Sequence, residues 1–157
     1  RKKIALVTTV DYVSVGKLRT DGYTKALLDN GIPFNEDLII KIEDIDTCEI
    51  TIGKLLEDKA IDAVFAVNEL FAVTIIKTAN KIGLNVPKDL AVIAFTDGII
   101  SKYSTPTITT VSQSGIKMGN KAAKMLIERL ESEEDEEDEN YKTEVIETHL
   151  IERESTN

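Results

Sequence analysis

The 157 residues, 42% apolar and 30% charged, suffice for one compact domain with a real hydrophobic core and place the chain among soluble globular proteins. The apolar runs are strand-sized, too short to span a bilayer, and Arg1-Lys-Lys before a short strand-like run lacks the length and cleavage site of a secretory signal. The net charge of −9 is mostly local, because Glu131 to Glu139 is almost entirely carboxylate; the nearly neutral remainder offers no basic face for phosphate backbones, so the chain by itself is not expected to bind DNA.

Ile4-Ala-Leu-Val-Thr8 is β-branched and apolar, as a strand buried on both faces should be, and a polar loop follows through Gly16. Leu18, Tyr23, Ala26 and Leu27 then recur at helical spacing. Asn30-Gly31 with Pro33 beyond is a helix stop, since glycine accepts the left-handed backbone at a helix end. Leu38 to Ile42 predicts the next strand, and Asp46 with Glu49 three residues on predicts a capping box ahead of Ile50, Leu55 and Leu56.

Ala63 to Val67 reads as a strand, Glu69 to Gly83 as a helix and Ala91 to Phe95 as another strand. This alternation with short connections argues for an α/β fold, a parallel sheet with right-handed crossovers and helices on both faces. At 100° per residue, Phe71, Ala72, Ile75, Ile76, Ala79 and Ile82 share one broad face of the helix after Asn68. Leu70 and Val73 point the other way, toward either a subunit interface or a covering loop. Ile116 to Leu130 forms a further amphipathic helix, and Glu144 to Ile151 a final strand.

No Gly-rich phosphate loop, Gly-x-Ser-x-Gly elbow or Cys/His cluster of metal-binding spacing occurs, so no cofactor or metal is expected and the chain is not expected to be an enzyme. Asp11 with Asp21, or Asp37 with Asp97, could form an acid and base pair, against the plainer reading of surface charge. The lone Cys48 cannot form an internal disulfide and reads as an ordinary helix thiol; His149 reads as a rim residue. Both fit a reducing, cytoplasmic setting.

Polar residues gather where an open α/β sheet presents its ligand crevice, just past the carboxyl ends of the strands: Thr8 to Ser14, Asn68, and Thr96-Asp97. Asn68 also suits a helix N-cap. Arg19, near the start of the first helix, could donate paired hydrogen bonds to vicinal hydroxyls or a carboxylate.

In order and spacing, Asp62-Ala-Val-Phe-Ala-Val-Asn68, Val86-Pro-Lys-Asp89, Leu90-Ala-Val-Ile-Ala-Phe95 and Pro106-Thr-Ile-Thr-Thr-Val-Ser-Gln113 resemble the LacI/GalR family of bacterial transcription regulators. The resemblance extends from Lys3-Ile-Ala-Leu-Val through Leu18-Arg-Thr-Asp-Gly-Tyr23 to Ile151-Glu-Arg-Glu-Ser-Thr156. It implies one lobe of a two-lobed, periplasmic-binding-protein-like effector domain. Residues 1–112 would be the C-terminal lobe, 113–131 a helix crossing to the other lobe, 132–142 an acidic loop, and 143–157 a final strand rejoining the C-terminal lobe.

It further implies a small-molecule effector, a sugar or related compound, contacted by Arg19, Asn68, Thr96, Asp97 and Gln113; operator DNA read by a helix-turn-helix outside this chain; and a homodimer using Leu70 and Val73. The competing implication is a periplasmic sugar-binding protein of a transport system. Thr96 stands where relatives usually carry the first of two aspartates, and Glu69 where aspartate is usual, which puts a simple hexose in doubt. With half of the pocket, the chain is expected to bind effector weakly or not at all, and the helix after Gly115 to dock on a neighbouring copy or be poorly ordered.

Overall fold

The computed structural model describes residues 1–10, 14–58, 61–131 and 141–157. Among these residues six strands form one sheet: β1 (Ile4–Thr9), β2 (Ile39–Ile42), β3 (Ala63–Ala66), β4 (Ala91–Phe95), β5 (Thr109–Ser112) and β6 (His149–Ile151). Their spatial order is β2-β1-β3-β4-β5-β6, parallel throughout except for β6, which runs antiparallel to β5 with Val111 opposite Leu150. The expected parallel sheet is therefore capped by one antiparallel edge strand. That edge is also shorter than the apolar run implied, because only three residues pair.

Among the described residues five α-helices connect the strands: α1 (Ser14–Asp29), α2 (Cys48–Asp58), α3 (Glu69–Lys81), α4 (Ile99–Tyr103) and α5 (Gly115–Glu131). The chain leaves β1 toward β2 but later continues from β3 toward β4 on the other side of β1, so right-handed crossovers place α1 on one face and α2 with α3 on the other. Side chains alternate accordingly. Val64, Ala66, Val92 and Ala94 are buried beneath α3, which contributes Phe71, Ala72, Ile75, Ile76 and Ala79 to the same core. Each such large aliphatic side chain contributes roughly 1.5–3 kcal/mol on full burial. Phe65, Ile93 and Phe95 project to the α1 face and stay half-buried.

Helix ends follow their chemistry. Gly31 (φ 66°) and Gly83 (φ 84°) take the left-handed conformation, and the next amides return to carbonyls one turn back, Ile32 N to Leu27 O and Leu84 N to Ala79 O, both at 2.9 Å. The Asp46 capping box does not form. Asp44 caps a short 3-10 turn, Ile45–Thr47, by accepting from the Asp46 amide, and α2 begins only at Cys48. Cys48 is buried, and that burial pushes its thiol pKa up. Ile82, expected on the packed face of α3, stands just past its end and is exposed.

At the termini, Asp62 accepts from the Lys2 and Lys3 amides at 2.8 and 3.0 Å, tying the amino-terminal residues to the start of β3. Ser155 is fully buried: its hydroxyl donates to Val92 O at 2.5 Å and accepts from Thr109 N at 2.8 Å, stitching the chain's last residues to β4 and β5. By contrast α5 forms without burying a residue, and Ile116, Leu126 and Leu130 are 83, 61 and 76% exposed. No helix among the described residues is long and apolar enough to cross a membrane. Of the acidic run, only Glu131 lies among the described residues.

Candidate functional site

The strand order reverses between β1 and β3, and a parallel sheet opens its crevice at the carboxyl ends flanking such a reversal. Arg19, on the first turns of α1, reaches this point. Its Nη1 donates to Val67 O at 2.8 Å, and its guanidinium carbon lies 4.5 Å from the centroid of the Phe95 ring. Val67 and Phe95 immediately precede Asn68 and Thr96. One side chain thus contacts the residues just before two other candidates. Burial of the guanidinium lowers its pKa from the usual arginine value. Phe95 is itself backed by Phe65, with ring centroids 5.8 Å apart.

Asn68 caps α3, its Oδ1 accepting from Phe71 N at 2.8 Å. Because the partner is a donor, the amide orientation is fixed: the oxygen turns into the helix and the NH2 remains available. Gln113, just past β5, is half-buried and lines with Arg19, Phe95 and Val111 a depression of about 730 Å³ between α1 and the sheet, otherwise walled by apolar groups such as Leu18, Phe65 and Ile93. Thr96 is exposed after β4. The loop residues Asp11, Tyr12 and Val13, counted among the crevice positions, lie outside the described residues.

Asp97 is placed differently from its sequence neighbour. Its Oδ1 accepts from Arg153 Nη2 at 2.5 Å and from the Thr110 hydroxyl at 3.1 Å, while Lys102 Nζ lies 3.4 Å from Oδ2. Thr110 alternates with Val111, so this carboxylate turns away from the depression toward α4 and the chain end. Burial works against its ionisation, but the hydrogen bonds from Arg153 and Thr110 and the nearby positive charges outweigh it, leaving the carboxyl below its ordinary pKa. Glu69 is likewise committed, its Oε1 accepting from Gly98 N at 2.8 Å and Ser101 N at 3.0 Å and so holding the first turn of α4. A side chain at Gly98 would collide with that carboxylate.

The structure separates Asp37 from Asp97. Asp37 precedes β2 and Asp97 follows β4, at opposite ends of a sheet whose strands here are parallel and three positions apart, roughly 14 Å laterally at about 4.8 Å per strand. They form no acid and base pair. Asp21 is exposed on α1. Among the described residues no group of three or more His, Cys, Asp or Glu side chains could hold a metal ion.

Phe95, Glu69 and Arg153 are the contributors that sequence reasoning missed. Phe95 was readable as the last apolar residue before a polar strand end. Glu69 and Arg153 depend on partners 29 to 56 residues away and leave no local signal.

Leu70 and Val73 differ in the structure: Leu70 is 46% exposed, whereas Val73 is half-buried against the core. On α4, packed beside α3, Ile100 and Tyr103 are also exposed.

These features define an α/β unit with an open crevice at the carboxyl ends of its parallel strands. The chain belongs to the periplasmic binding protein-like domain family, whose model matches residues 1–156. It is 36% identical over 148 residues to the HTH-type transcriptional regulator MalR of Clostridium butyricum, a match covering 93% of this chain and 43% of that protein. Among solved structures, a transcriptional regulator CelR-cellobiose complex superposes with a TM-score of 0.84 at 30% identity, covering 98% of this chain and 46% of the other. A LacI-family regulator structure from Sanguibacter keddieii gives 0.88 at 28% identity, covering 99% and 60%. The resemblance to LacI/GalR regulators read from the motifs therefore holds, and these relatives are regulators, not enzymes. The chain spans under half the length of the curated relatives that it matches first.

Proposed function

We propose that this chain is the C-terminal effector-binding lobe of a LacI-type transcriptional regulator. In this reading a sugar or related small molecule, gripped between this lobe and a second one, shifts the affinity of paired helix-turn-helix heads for operator DNA. The observation that carries it is the convergence of Arg19, Asn68 and Gln113 on the carboxyl ends of β3, β4 and β5. The relative solved with cellobiose supports a carbohydrate ligand, and the helix-turn-helix relatives favour regulation over transport.

Arg19, Asn68, Thr96 and Gln113 are the proposed effector contacts; Asp97 acts as a strut that fixes the loop carrying Thr96. The proposed parts are residues 1–112 as the lobe, 113–131 as the helix that crosses to the other lobe, 132–142 as the acidic connection and 143–157 as the return. The exposed apolar face of α5 suits such a crossing. A homodimer would form through Leu70 and Val73, extended by Ile100 and Tyr103, in a cytoplasmic protein that needs no cofactor and catalyses no reaction.

Differential affinity is the whole mechanism: a ligand shifts the lobe equilibrium only by as much as it prefers one arrangement. The test is operator binding by the full-length protein, measured by mobility shift with a panel of carbohydrates. At least one should change operator affinity by about fivefold or more, the lower end of typical coupling. If none does while thermal shift also detects no ligand, the reading is wrong.

A further inference from the structure

We infer that the effector carries an anionic group, a carboxylate or a phosphate, that docks on Arg19. The inference rests on the effector-lobe reading above and concerns the polarity of that site. Among the described residues, three side-chain acceptors near this end of the sheet already hold partners within the fold. The Glu69 carboxylate is committed to two amides of α4. The Asp97 carboxylate is committed to Arg153, Thr110 and Lys102. The amide oxygen of Asn68 is committed to α3.

Two sets of strong donors remain free to face outward. Asn68 keeps its NH2, and the Arg19 guanidinium, with five N–H groups in all, spends one nitrogen on Val67 O. Among the described residues Arg19 is the one charged residue lining the depression, and its positive charge rests on the Phe95 ring with none of their carboxylates pairing it. A partly desolvated guanidinium gains most from an anion that meets its paired N–H donors.

A neutral sugar asks for something else. Each hydroxyl donates as well as accepts, and leaving a donor unmatched in a closed site costs the desolvation of that group. Thr96, where a carboxylate would supply such an acceptor, carries only a hydroxyl. This face of the crevice suits the acceptor-rich end of a sugar acid or a sugar phosphate better than the ring of an unmodified hexose.

The experiment measures binding to the full-length protein by isothermal titration, using glucose, glucuronate, glucose 6-phosphate and inorganic phosphate. The expected result is that glucuronate or glucose 6-phosphate binds at least about tenfold more tightly than glucose, and whichever does so names the source of the charge. Inorganic phosphate should bind more weakly than the preferred sugar derivative. The preference should disappear in Arg19→Gln and shrink in Thr96→Asp. Should Arg19→Gln fail to fold, salt dependence decides: raising salt from about 50 to about 500 mM should weaken the anion and leave glucose unchanged. Glucose binding as tightly as either anion overturns the charge inference and leaves the effector-lobe reading standing. An absence of binding by all four overturns the charge inference, and the wider carbohydrate screen then decides the effector-lobe reading separately.

Discussion

The guanidinium of Arg153 donates to the carboxylate of Asp97 at 2.5 Å, joining the last residues of the chain to the loop between β4 and α4. The two side chains are 16 and 12% exposed, so neither charge is well solvated alone. Arg153 also donates to Ile108 O at 2.7 Å and to the Thr110 hydroxyl at 3.0 Å, which makes it the hub of that corner.

Breaking this pair leaves a desolvated charge without its partner, so Asp97→Asn and Arg153→Met should each lower stability by about 2–4 kcal/mol. The Asp97→Asn, Arg153→Met double variant should lose less than the sum of the two. Urea denaturation checks both statements. The folded-state pKa of Asp97 is depressed, so its contribution is present above the ordinary carboxylate range and is lost as the pH falls through the depressed value. Acid unfolding of Asp97→Asn should accordingly show a shallower pH dependence than that of the parent.

Ser155 offers a second, independent lock. Its hydroxyl bridges Val92 O and Thr109 N at full burial, so Ser155→Ala should cost about 1–3 kcal/mol, the desolvation of groups left unmatched. Substituting exposed Glu152 should stay within about 0.5 kcal/mol. Thermal melts of the two variants side by side give the comparison.

Most strands and the long helices were readable because their causes are local. β-Branched runs mark the buried strands, and the left-handed glycines at 31 and 83 stop α1 and α3 where the sequence places those stops. What could not be read depends on distant partners. Helix α4 has five residues, too few for a hydrophobic period, and its first turn is held by Glu69 from 29 residues upstream. The sequence groups Asp97 with Thr96; only the fold shows Arg153, 56 residues on, drawing it away from the crevice. Asn68 and Arg19 were legible as candidates because they stand at a strand end and on the first turns of a helix, where sequence position predicts the side of the sheet; Gln113 entered only through the family resemblance.

Asn68 joins two roles that substitutions can separate. Asn68→Ala removes the cap of α3 and should lower stability by about 1 kcal/mol, whereas Asn68→Asp keeps an acceptor for Phe71 N and should leave stability nearly unchanged. If the amide also meets the effector, both variants weaken binding, and Asn68→Asp does so without loss of fold. Paired denaturation and titration data distinguish cap from contact.

On the far face, Lys77 lies 2.8 Å from Glu49, and Lys81 pairs with the same carboxylate, bringing its pKa down to about 2. The sign follows from the depression: the pairing favours the folded state above the ordinary carboxylate value and is lost as pH falls through about 2. The group is exposed, so salt should screen much of the effect. Carbon-detected NMR titration should place the Glu49 midpoint well below the ordinary carboxylate range, and the Lys77→Ala, Lys81→Ala double variant should return it toward that range.

The proposed subunit interface makes its own demand. Leu70 and Tyr103 are exposed on adjoining helices, so Leu70→Asp or Tyr103→Asp in the full-length protein should shift the dimer toward monomer by about tenfold or more in dissociation constant. Sedimentation equilibrium measures this directly. Dimers of parental affinity in both variants would move the interface elsewhere.

The most direct test of the central claim, that the crevice at the strand ends controls operator binding, is an effector titration of full-length Arg19→Gln followed by operator affinity. Operator affinity should equal that of the parent without effector, and the response should be displaced to at least about tenfold higher effector concentration. A response at the parental concentration would contradict it.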